Sequence, residues 1–235
     1  MKYMGSKNRI AKEILPIILD NRKPDQWYVE PFVGGANMID KVGGKRIAND
    51  LNQYVVTMLS RLAEGWIPEL ITKTGYQDIK NNHDVYPKEV VGWVGINCSY
   101  SGKWFGGYAG EVQTKQGKRD YQKEALNNVL KQAESLKGIT FLSDDYYNLI
   151  LPKASLIYCD PPYANTTGYK DKFDYEKFWQ WCRDKRQEGH EVFISEYNAP
   201  DDFTCVWEKQ VKSSLSANGK SGGNKQSIEK LFTLV

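Results

Sequence analysis

Short apolar strands alternate with helices at the start of the chain, and this order constrains the fold more than any other feature of the sequence. Residues 27–32 predict a strand that runs into a glycine turn and a helix through Ile39, and residues 46–49 and 52–62 predict the next strand and helix. Such alternation is typical of a parallel sheet with helices packed on it. The chain is therefore expected to adopt an α/β fold.

A second block of the same kind occupies the later part of the chain, after an interruption at roughly 65–122. Within the interruption, the small, polar, glycine-rich and aromatic stretch 97–108 indicates a surface loop or hairpin. Residues 213–226, rich in Ser, Gly, Asn and Lys, indicate another loop. The remaining predicted elements are helices at 6–19, 121–136 and 175–187 and strands at 139–142, 155–159, 191–195 and 231–235.

Composition narrows the class of protein. The formal net charge of +3, from 32 basic and 29 acidic side chains, is too small to indicate nucleic-acid binding by itself, although seven Trp and 15 Tyr side chains suit base stacking. The longest apolar stretch, Ile14 to Leu19, contains Pro16 and is too short to cross a bilayer, and no export signal is evident. Four scattered cysteines and two histidines form no zinc-binding pattern. We expect a cytoplasmic protein with free thiols and no metal.

Asp160-Pro161-Pro162-Tyr163 is the candidate reaction centre. It follows the apolar strand 155–159 and therefore lies at the carboxyl end of a parallel strand, where open α/β sheets bind ligands. The prolines fix the backbone and leave the Pro161 carbonyl as an acceptor beside the Asp160 carboxylate. Two such acceptors can hold the hydrogens of a planar amine, and Tyr163 can stack on a base flipped out of a duplex. By itself, the tetrapeptide is equally compatible with a proline-fixed turn.

A glycine turn and two acids indicate an adenosine pocket. Glu30 ends the strand ahead of Val33-Gly34-Gly35, where a ligand can approach the backbone closely. The turn lacks the full G-x-G-x-x-G spacing and a basic phosphate anchor, which favours a ligand without phosphate. Asp50 lies 20 residues beyond Glu30, a distance that suits hydrogen bonds to ribose hydroxyls. Taken alone, glycine turns are common and such an acid is more often a helix N-cap.

Together, these blocks resemble the DNA adenine methylase (Dam) family, the D12 class of N6-adenine-specific DNA methyltransferases. The resemblance covers nearly the whole chain. A further, weaker similarity links residues 195–198 to the family block that lines the target-base pocket. The ordered blocks that carry the resemblance are Lys2-Tyr3-Met4-Gly5-Ser6-Lys7, residues 30–34 with Asp50, Ser143-Asp144-Asp145-Tyr146 and residues 160–163.

The resemblance implies a Rossmann-like methyltransferase core at residues 1–52 and 136–235, with an inserted, mostly helical target-recognition domain at 53–135. The implied reaction is direct transfer of a methyl group from S-adenosylmethionine to N6 of adenine in double-stranded DNA, with S-adenosylhomocysteine as the other product and no metal. The implied catalytic residues are Asp160, Pro161, Pro162 and Tyr163, and the implied cofactor-binding residues are Tyr3, Lys7, Glu30, Phe32, Gly34, Asp50, Asp145 and Asp160.

The segment expected to recognise DNA departs from the family pattern. Members that methylate GATC usually carry an Asn-Gly and Arg-rich pattern where this chain has residues 97–108, and Ala36 stands where a second glycine is frequent. Cations position phosphates and aromatic wedges assist base extrusion, although each candidate could equally be a solvated surface residue. The candidate DNA contacts are Tyr100, Lys103, Trp104 and Arg119, with Lys118, Lys220 and Lys225 as further cations.

Two alternatives stay open at this point. Another planar amine, such as cytosine N4, RNA adenine or a glutamine side chain, suits the same tetrapeptide, although aspartate at position 160 favours adenine within the resemblance. A DNA-binding protein that has lost catalysis is the alternative from another class. The intact Lys7, Asp50 and residues 160–163 argue against it. A separate restriction endonuclease is a compatible partner.

Overall fold

A computed structural model describes residues 1–114, 117–162, 173–212 and 226–234. Within these ranges, nine strands and six α-helices form the fold. The strands are β1 (Tyr28–Glu30), β2 (Arg46–Asn49), β3 (Glu111–Thr114), β4 (Gly117–Asp120), β5 (Ile139–Leu142), β6 (Leu156–Cys159), β7 (Glu191–Glu196), β8 (Thr204–Lys212) and β9 (Gln226–Thr233). The helices are α1 (Ala11–Leu19), α2 (Gln53–Ala63), α3 (Lys73–Asn81), α4 (Lys88–Ile96), α5 (Tyr121–Leu136) and α6 (Tyr175–Gln187), with short 3₁₀ turns at Lys7–Arg9, Ile39–Lys41, His83–Val85, Tyr100–Gly102 and Tyr146–Asn148.

Seven of the strands form one sheet in the order β5-β2-β1-β6-β7-β9-β8. Strands β5, β2, β1, β6 and β7 are parallel, whereas β9 runs antiparallel between β7 and β8. The chain builds the sheet outward from β1 in one direction and then returns to β6 on its other side, which creates a crevice at the carboxyl ends of these two strands. This topology confirms the predicted Rossmann-like α/β core.

Alternate residues of the central strands face two separate hydrophobic clusters. Leu156 and Tyr158 of β6 belong to the cluster that packs against α1, α2, α4 and α5, whereas Ile157 and Cys159 face the cluster that includes α6. Successive side chains of a strand point to opposite faces, so helices cover both sides of the sheet. This burial on both faces explains why the parallel strands read as short, continuous apolar runs.

The segment 53–135 is largely helical, as predicted. Its helices α2, α4 and α5 contribute Met58, Trp93 and Val129 to the same cluster that contains Ala48 of β2. Helices α2 and α4 approach closely, because a Cβ on Gly92 would lie 2.2 Å from a backbone oxygen of α2. Strands β3 and β4 form a separate antiparallel hairpin whose residues are exposed or half-buried. That this segment is a target-recognition domain stays a prediction.

The structure differs from the sequence predictions at several places. The helix expected after the glycine turn shrinks to the 3₁₀ turn at Ile39–Lys41, because Ala36 has a φ of 54°, outside the helical region. The stretch 97–108 is a loop closed by a Ser99–Tyr108 bridge, but it buries Cys98 and lies less at the surface than expected. Strand β8 was not predicted, and β9 begins ahead of the predicted 231–235. The predicted loop 213–226 lies almost wholly outside the described residues.

Every helix in the described ranges is too short or too polar to cross a bilayer.

Candidate active site

The crevice between β1 and β6 places two acids at adjacent strand ends. Glu30 is the last residue of β1 and is 3% exposed, and it accepts a 2.9 Å hydrogen bond from the hydroxyl of Tyr28. Asp160 follows the last residue of β6. Burial raises the pKa of Glu30 well above its usual value, and Asp160 contributes to the increase. The two predicted acids therefore share one electrostatic environment.

Asp50 fixes the glycine turn that follows β1. One oxygen of its carboxylate accepts the backbone N–H of Gly34 and the other accepts the N–H of Asn52, each at 2.9 Å. Burial raises the pKa of Asp50, although both hydrogen bonds oppose the increase. Gly34 has a φ of 46°, a conformation that glycine adopts without steric cost. Each carboxylate oxygen has a further lone pair for a ligand hydroxyl.

Tyr3 lies directly over this turn. A Cβ on Gly34 or Gly35 would come within 2.7 Å of the Tyr3 side chain, so both positions accept only glycine without rearrangement. The backbone of Tyr3 also lies against Gly102, where a Cβ would be 2.8 Å away, and Met4 donates a 3.2 Å hydrogen bond to the Gly102 carbonyl. The amino-terminal block thus connects the glycine turn to the 97–108 loop.

Lys7 brings the amino-terminal block to the reaction centre. Its ammonium lies 3.0 Å from Asp160 Oδ1 and 3.7 Å from Glu229 Oε2, and donates to the Gly5 carbonyl. Ser6 accepts a hydrogen bond from the N–H of Asn8 and starts the 3₁₀ turn that carries Lys7. Burial lowers the pKa of Lys7, but the two carboxylates outweigh it and the net pKa is raised. The lysine is held as a buried cation.

Burial raises the pKa of Asp160, as it does for Glu30 and Asp50, and the positive charge of Lys7 opposes this increase. Beyond Asp160, Pro161 is buried, and the carbonyl of Pro162 accepts a hydrogen bond from the hydroxyl of Tyr175 on α6. The hydroxyls of Tyr158 and Ser195, on β6 and β7, lie 2.8 Å apart and join the two strands behind the tetrapeptide. Tyr163, the predicted stacking residue, lies outside the described residues.

The predicted acid–aromatic block, residues 143–146, directly follows β5, the edge strand that pairs with β2. Asp145 caps the 3₁₀ turn at Tyr146–Asn148 by accepting the N–H of Tyr147 at 3.0 Å. The rings of Tyr146 and Phe32 are 5.1 Å apart. Two predicted cofactor residues, Phe32 and Asp145, are thereby brought to one side of the crevice.

Asn49 is a site residue that sequence reasoning did not identify. It is fully buried at the end of β2, and its amide donates to the carbonyls of Pro31 and Asp144, at 3.0 and 2.9 Å. Its side-chain oxygen accepts the N–H of Asp144 at 3.0 Å. Asn49 therefore ties the loop after β1 to the loop after β5. The available signal was a polar residue at the end of an apolar strand, directly before Asp50.

The four candidate DNA contacts differ in exposure and in their partners. Tyr100 and Lys103 are exposed on the 97–108 loop, whereas Trp104 is half-buried and stacks on Tyr54 with ring centroids 5.8 Å apart. Arg119 lies on the hairpin and donates two hydrogen bonds to Glu124, at 2.8 and 2.7 Å. The Lys118 ammonium, also on the hairpin, is 2.6 Å from the Glu111 carboxylate. The roles of these residues stay predictions. The other two candidate cations, Lys220 and Lys225, lie outside the described residues.

In the described ranges, no group of three or more His, Cys, Asp and Glu side chains is arranged to hold a metal ion.

The strand order and the acid–proline–proline sequence at the end of β6 define a Rossmann-like methyltransferase core. The chain belongs to the D12 class N6 adenine-specific DNA methyltransferase family, whose model matches residues 3–89 and 97–204.

Two curated relatives are similar to most of the chain. The Type II methyltransferase M.FokI of Planomicrobium okeanokoites is 27% identical over 195 residues, which cover 73% of this chain and 30% of the relative. The modification methylase StsI of Streptococcus sanguinis is 24% identical over 196 residues, covering 73% and 29%. The match thus spans less than a third of either relative's length. The solved structure of the methyltransferase SMU.472 complexed with SAH superposes with a TM-score of 0.37 at 9% identity, covering 97% of this chain and 52% of the other.

Proposed function

We propose that this chain transfers a methyl group from S-adenosylmethionine to N6 of adenine in double-stranded DNA at a specific site. Its place in the D12 class family supports the reaction and the base. The observation that carries the proposal is the ion pair between the buried Lys7 and the half-buried Asp160, 3.0 Å across, at the carboxyl end of β6. A charge pair with a perturbed carboxyl pKa in a crevice is typical of functional sites.

The side chains around the crevice fit this cofactor. Asp50 has both oxygens oriented by backbone N–H groups and can still accept from ribose hydroxyls. Phe32 and Tyr146 offer a flat apolar wall for an adenine ring. Glu30 and Asp160 would hold the cationic end of the cofactor with their carboxyl groups, and Tyr3 and Lys7 complete the proposed set. When bound, the cofactor supplies an electrophilic methyl group.

The chain's own residues would orient the amine rather than act as a strong base. Lys7 holds one oxygen of the Asp160 carboxylate, so that the acid presents a fixed acceptor to one amino hydrogen. The Pro161 carbonyl accepts the other, and Tyr163 stacks on the extruded base. Holding both hydrogens favours a pyramidal nitrogen whose lone pair can attack, and the proton leaves once the nitrogen is cationic. No metal is needed for this step.

The segment 53–135 is proposed to recognise the DNA. Its hairpin presents Arg119, and its loop presents Tyr100 and Lys103, at exposed positions suited to phosphates and bases. The names of the two relatives, a Type II methyltransferase and a modification methylase, support a modification role. A separate restriction endonuclease is the proposed partner, and the cytoplasm is the proposed location.

The test is transfer of a labelled methyl group to unmethylated plasmid DNA, with nucleoside analysis and with RNA and protein assayed in parallel. We expect N6-methyladenine at one short motif, and a loss of at least about 100-fold in Asp160→Ala and Asp160→Asn. Asp25→Asn, which changes an exposed acid, is the matched control and should keep full activity. Circular dichroism and cofactor binding verify that each variant is folded. Full activity of Asp160→Ala, or label only in RNA or protein, would overturn the proposal.

A further inference from the structure

Glu229 lies in none of the motifs, yet the fold brings it to the reaction centre. It belongs to β9, the antiparallel strand that pairs with β7 through Glu196 and Lys230. Glu229 and Leu231 point to the same face of the sheet, because side chains alternate along a strand. Leu231 packs in the cluster that contains Ile10 and Ile14, so this face is the one that the amino-terminal block covers. The topology therefore places Glu229 opposite Lys7.

Lys7 lies between two carboxylates from two different strands. Its ammonium is 3.0 Å from Asp160 Oδ1 and 3.7 Å from Glu229 Oε2, while its side chain is only 6% exposed. The side chains of Asp160 and Glu229 are 23% and 16% exposed. An ammonium has three donors with freely rotating directions, and the Gly5 carbonyl and Asp160 Oδ1 already accept from two of them. The carboxylate of Glu229 adds a second negative charge 3.7 Å from the ammonium, which further restricts the orientation of the cation.

We propose that Glu229 is a positioning residue of the reaction centre, which holds the Lys7 ammonium against one oxygen of Asp160 and so fixes the carboxylate that receives the amine. The inference rests on the proposed function, since it assigns Glu229 a part in the same centre. Glu229 touches neither cofactor nor base in this role and acts through Lys7.

The electrostatics make this role separable from a purely structural one. The negative charge of Glu229 raises the pKa of Asp160, whereas Lys7 lowers it, both on top of the larger effect of burial. Replacing Glu229 by the neutral glutamine therefore lowers the pKa of Asp160. The other titratable groups that interact with this cluster are Glu30 of β1, Tyr158 and Cys159 of β6, and Tyr197 beyond β7.

The experiment compares Glu229→Gln with the wild-type chain by two measurements. The first is a carbon-13 NMR titration of the Asp160 carboxyl, identified by the signal lost in Asp160→Asn, which needs neither cofactor nor DNA. We expect the pKa of Asp160 to be lower in Glu229→Gln, because the negative charge that raises it is removed. The second is the pH profile of methyl transfer, in which we expect kcat to fall about tenfold and the acidic limb to move to lower pH.

Glu208→Gln is the matched control, because Glu208 lies on the adjacent strand β8, is exposed and pairs with the same stretch of β9. It should leave both measurements unchanged, and Glu229→Asp should restore part of the rate. An unchanged Asp160 pKa in a folded Glu229→Gln, or a uniform loss of rate without movement of the acidic limb, overturns the inference. A wild-type chain that methylates no DNA overturns the proposed function instead, while the NMR titration still decides the coupling.

Discussion

The proposed reaction centre and the proposed DNA-contact hairpin are built differently. At the sheet edge, Lys7, Asn49 and Asp50 are held by partners from distant parts of the chain, and Asn49 is fully buried. On the hairpin, Arg119 is paired with Glu124, five residues away, and its side chain is 47% exposed. The first region is preorganised by the fold, whereas the second is held by local, solvated ion pairs.

This difference follows from what each region must do. Buried polar groups with several partners are expensive to disturb, which gives the reacting atoms fixed positions. Exposed ion pairs contribute little to stability and can exchange one partner for another. A phosphate can therefore replace Glu124 at Arg119 without unfolding the chain. In the proposed roles, the fold would fix the reaction centre, and the DNA contact would be adjustable at the surface.

Among the substitutions, Asn49→Ala is expected to have the largest effect, because Asn49 has the most buried hydrogen bonds at the carboxyl ends of the strands. Asn49→Ala removes three hydrogen bonds and leaves the buried groups of the loops after β1 and β5 without partners. We expect the free energy of unfolding to fall by about 2–4 kcal/mol, measured by urea denaturation, with a matching loss of cofactor affinity. The control, Asn127→Ala on the exposed face of α5, should change stability by no more than about 0.5 kcal/mol. Equal losses in both variants would contradict the difference between the regions.

Lys7→Met tests whether the buried cation sets the working pH. Burial raises the pKa of Asp160 and Lys7 opposes this, so loss of the cation raises that pKa further. Because the ionised carboxylate is the acceptor, activity is lost as pH falls through the pKa of Asp160. The acidic limb should therefore move to higher pH, opposite to Glu229→Gln. The control, Lys12→Met, changes an exposed lysine on α1 and should leave the pH profile unchanged. An acidic limb that does not move in Lys7→Met would show that Lys7 does not act in the reaction centre.

Arg119→Gln probes the adjustable region through DNA affinity. We expect affinity to fall about 3- to 10-fold and the slope of log affinity against log salt to decrease by about one, with no change in thermal stability. Lys137→Gln is the control, because Lys137 forms the same kind of exposed pair, with Glu134, at the other end of α5. If both variants bind DNA as the wild type does, the hairpin is not the contact.

Glu124→Gln sharpens this test in the opposite direction. The guanidinium of Arg119 lowers the pKa of Glu124 to about 2, so the pair stays ionised throughout the neutral range. Removing the acid leaves Arg119 available to phosphate. Affinity for DNA should rise about 2- to 5-fold at low salt, an increase that high salt abolishes. A decrease would show that Glu124 orients Arg119 for binding.

Some elements of the fold could be predicted from the local sequence, and others could not. Helices α5 and α6 were predicted to the residue, because each begins at an aspartate that caps it, Asp120 and Asp174, and continues with a periodic apolar face. Strand β8 was missed because most of its residues are exposed, so no apolar run marks it. Helix α4 contains Gly92 and Gly95, which weaken the helical signal and are explained only by close packing against α2 and Trp104.

Within the site, motif residues were predictable and their supports were not. Lys7, Glu30, Asp50 and Asp160 lie at turns and strand ends that the sequence marks, and the fold brings them to one edge. Asn49 and Glu229 act through tertiary contacts with segments far away in the sequence, and no local pattern encodes these partners.

The smallest effect is expected at Ala36, within the otherwise rigid glycine turn. Ala36 has a φ of 54°, which costs a non-glycine residue about 1 kcal/mol, but its methyl group is fully buried. In Ala36→Gly, relief of strain is offset by the lost burial and by a more flexible unfolded chain. We expect less than about 1 kcal/mol of change in the free energy of unfolding and unchanged cofactor binding. Gly35→Ala is the matched opposite, because its Cβ would lie 2.7 Å from Tyr3 and 2.8 Å from Asn37, and it should cost about 1–3 kcal/mol. If thermal denaturation ranks the two variants the other way, Tyr3 moves aside readily and the edge is less rigid than its contacts indicate.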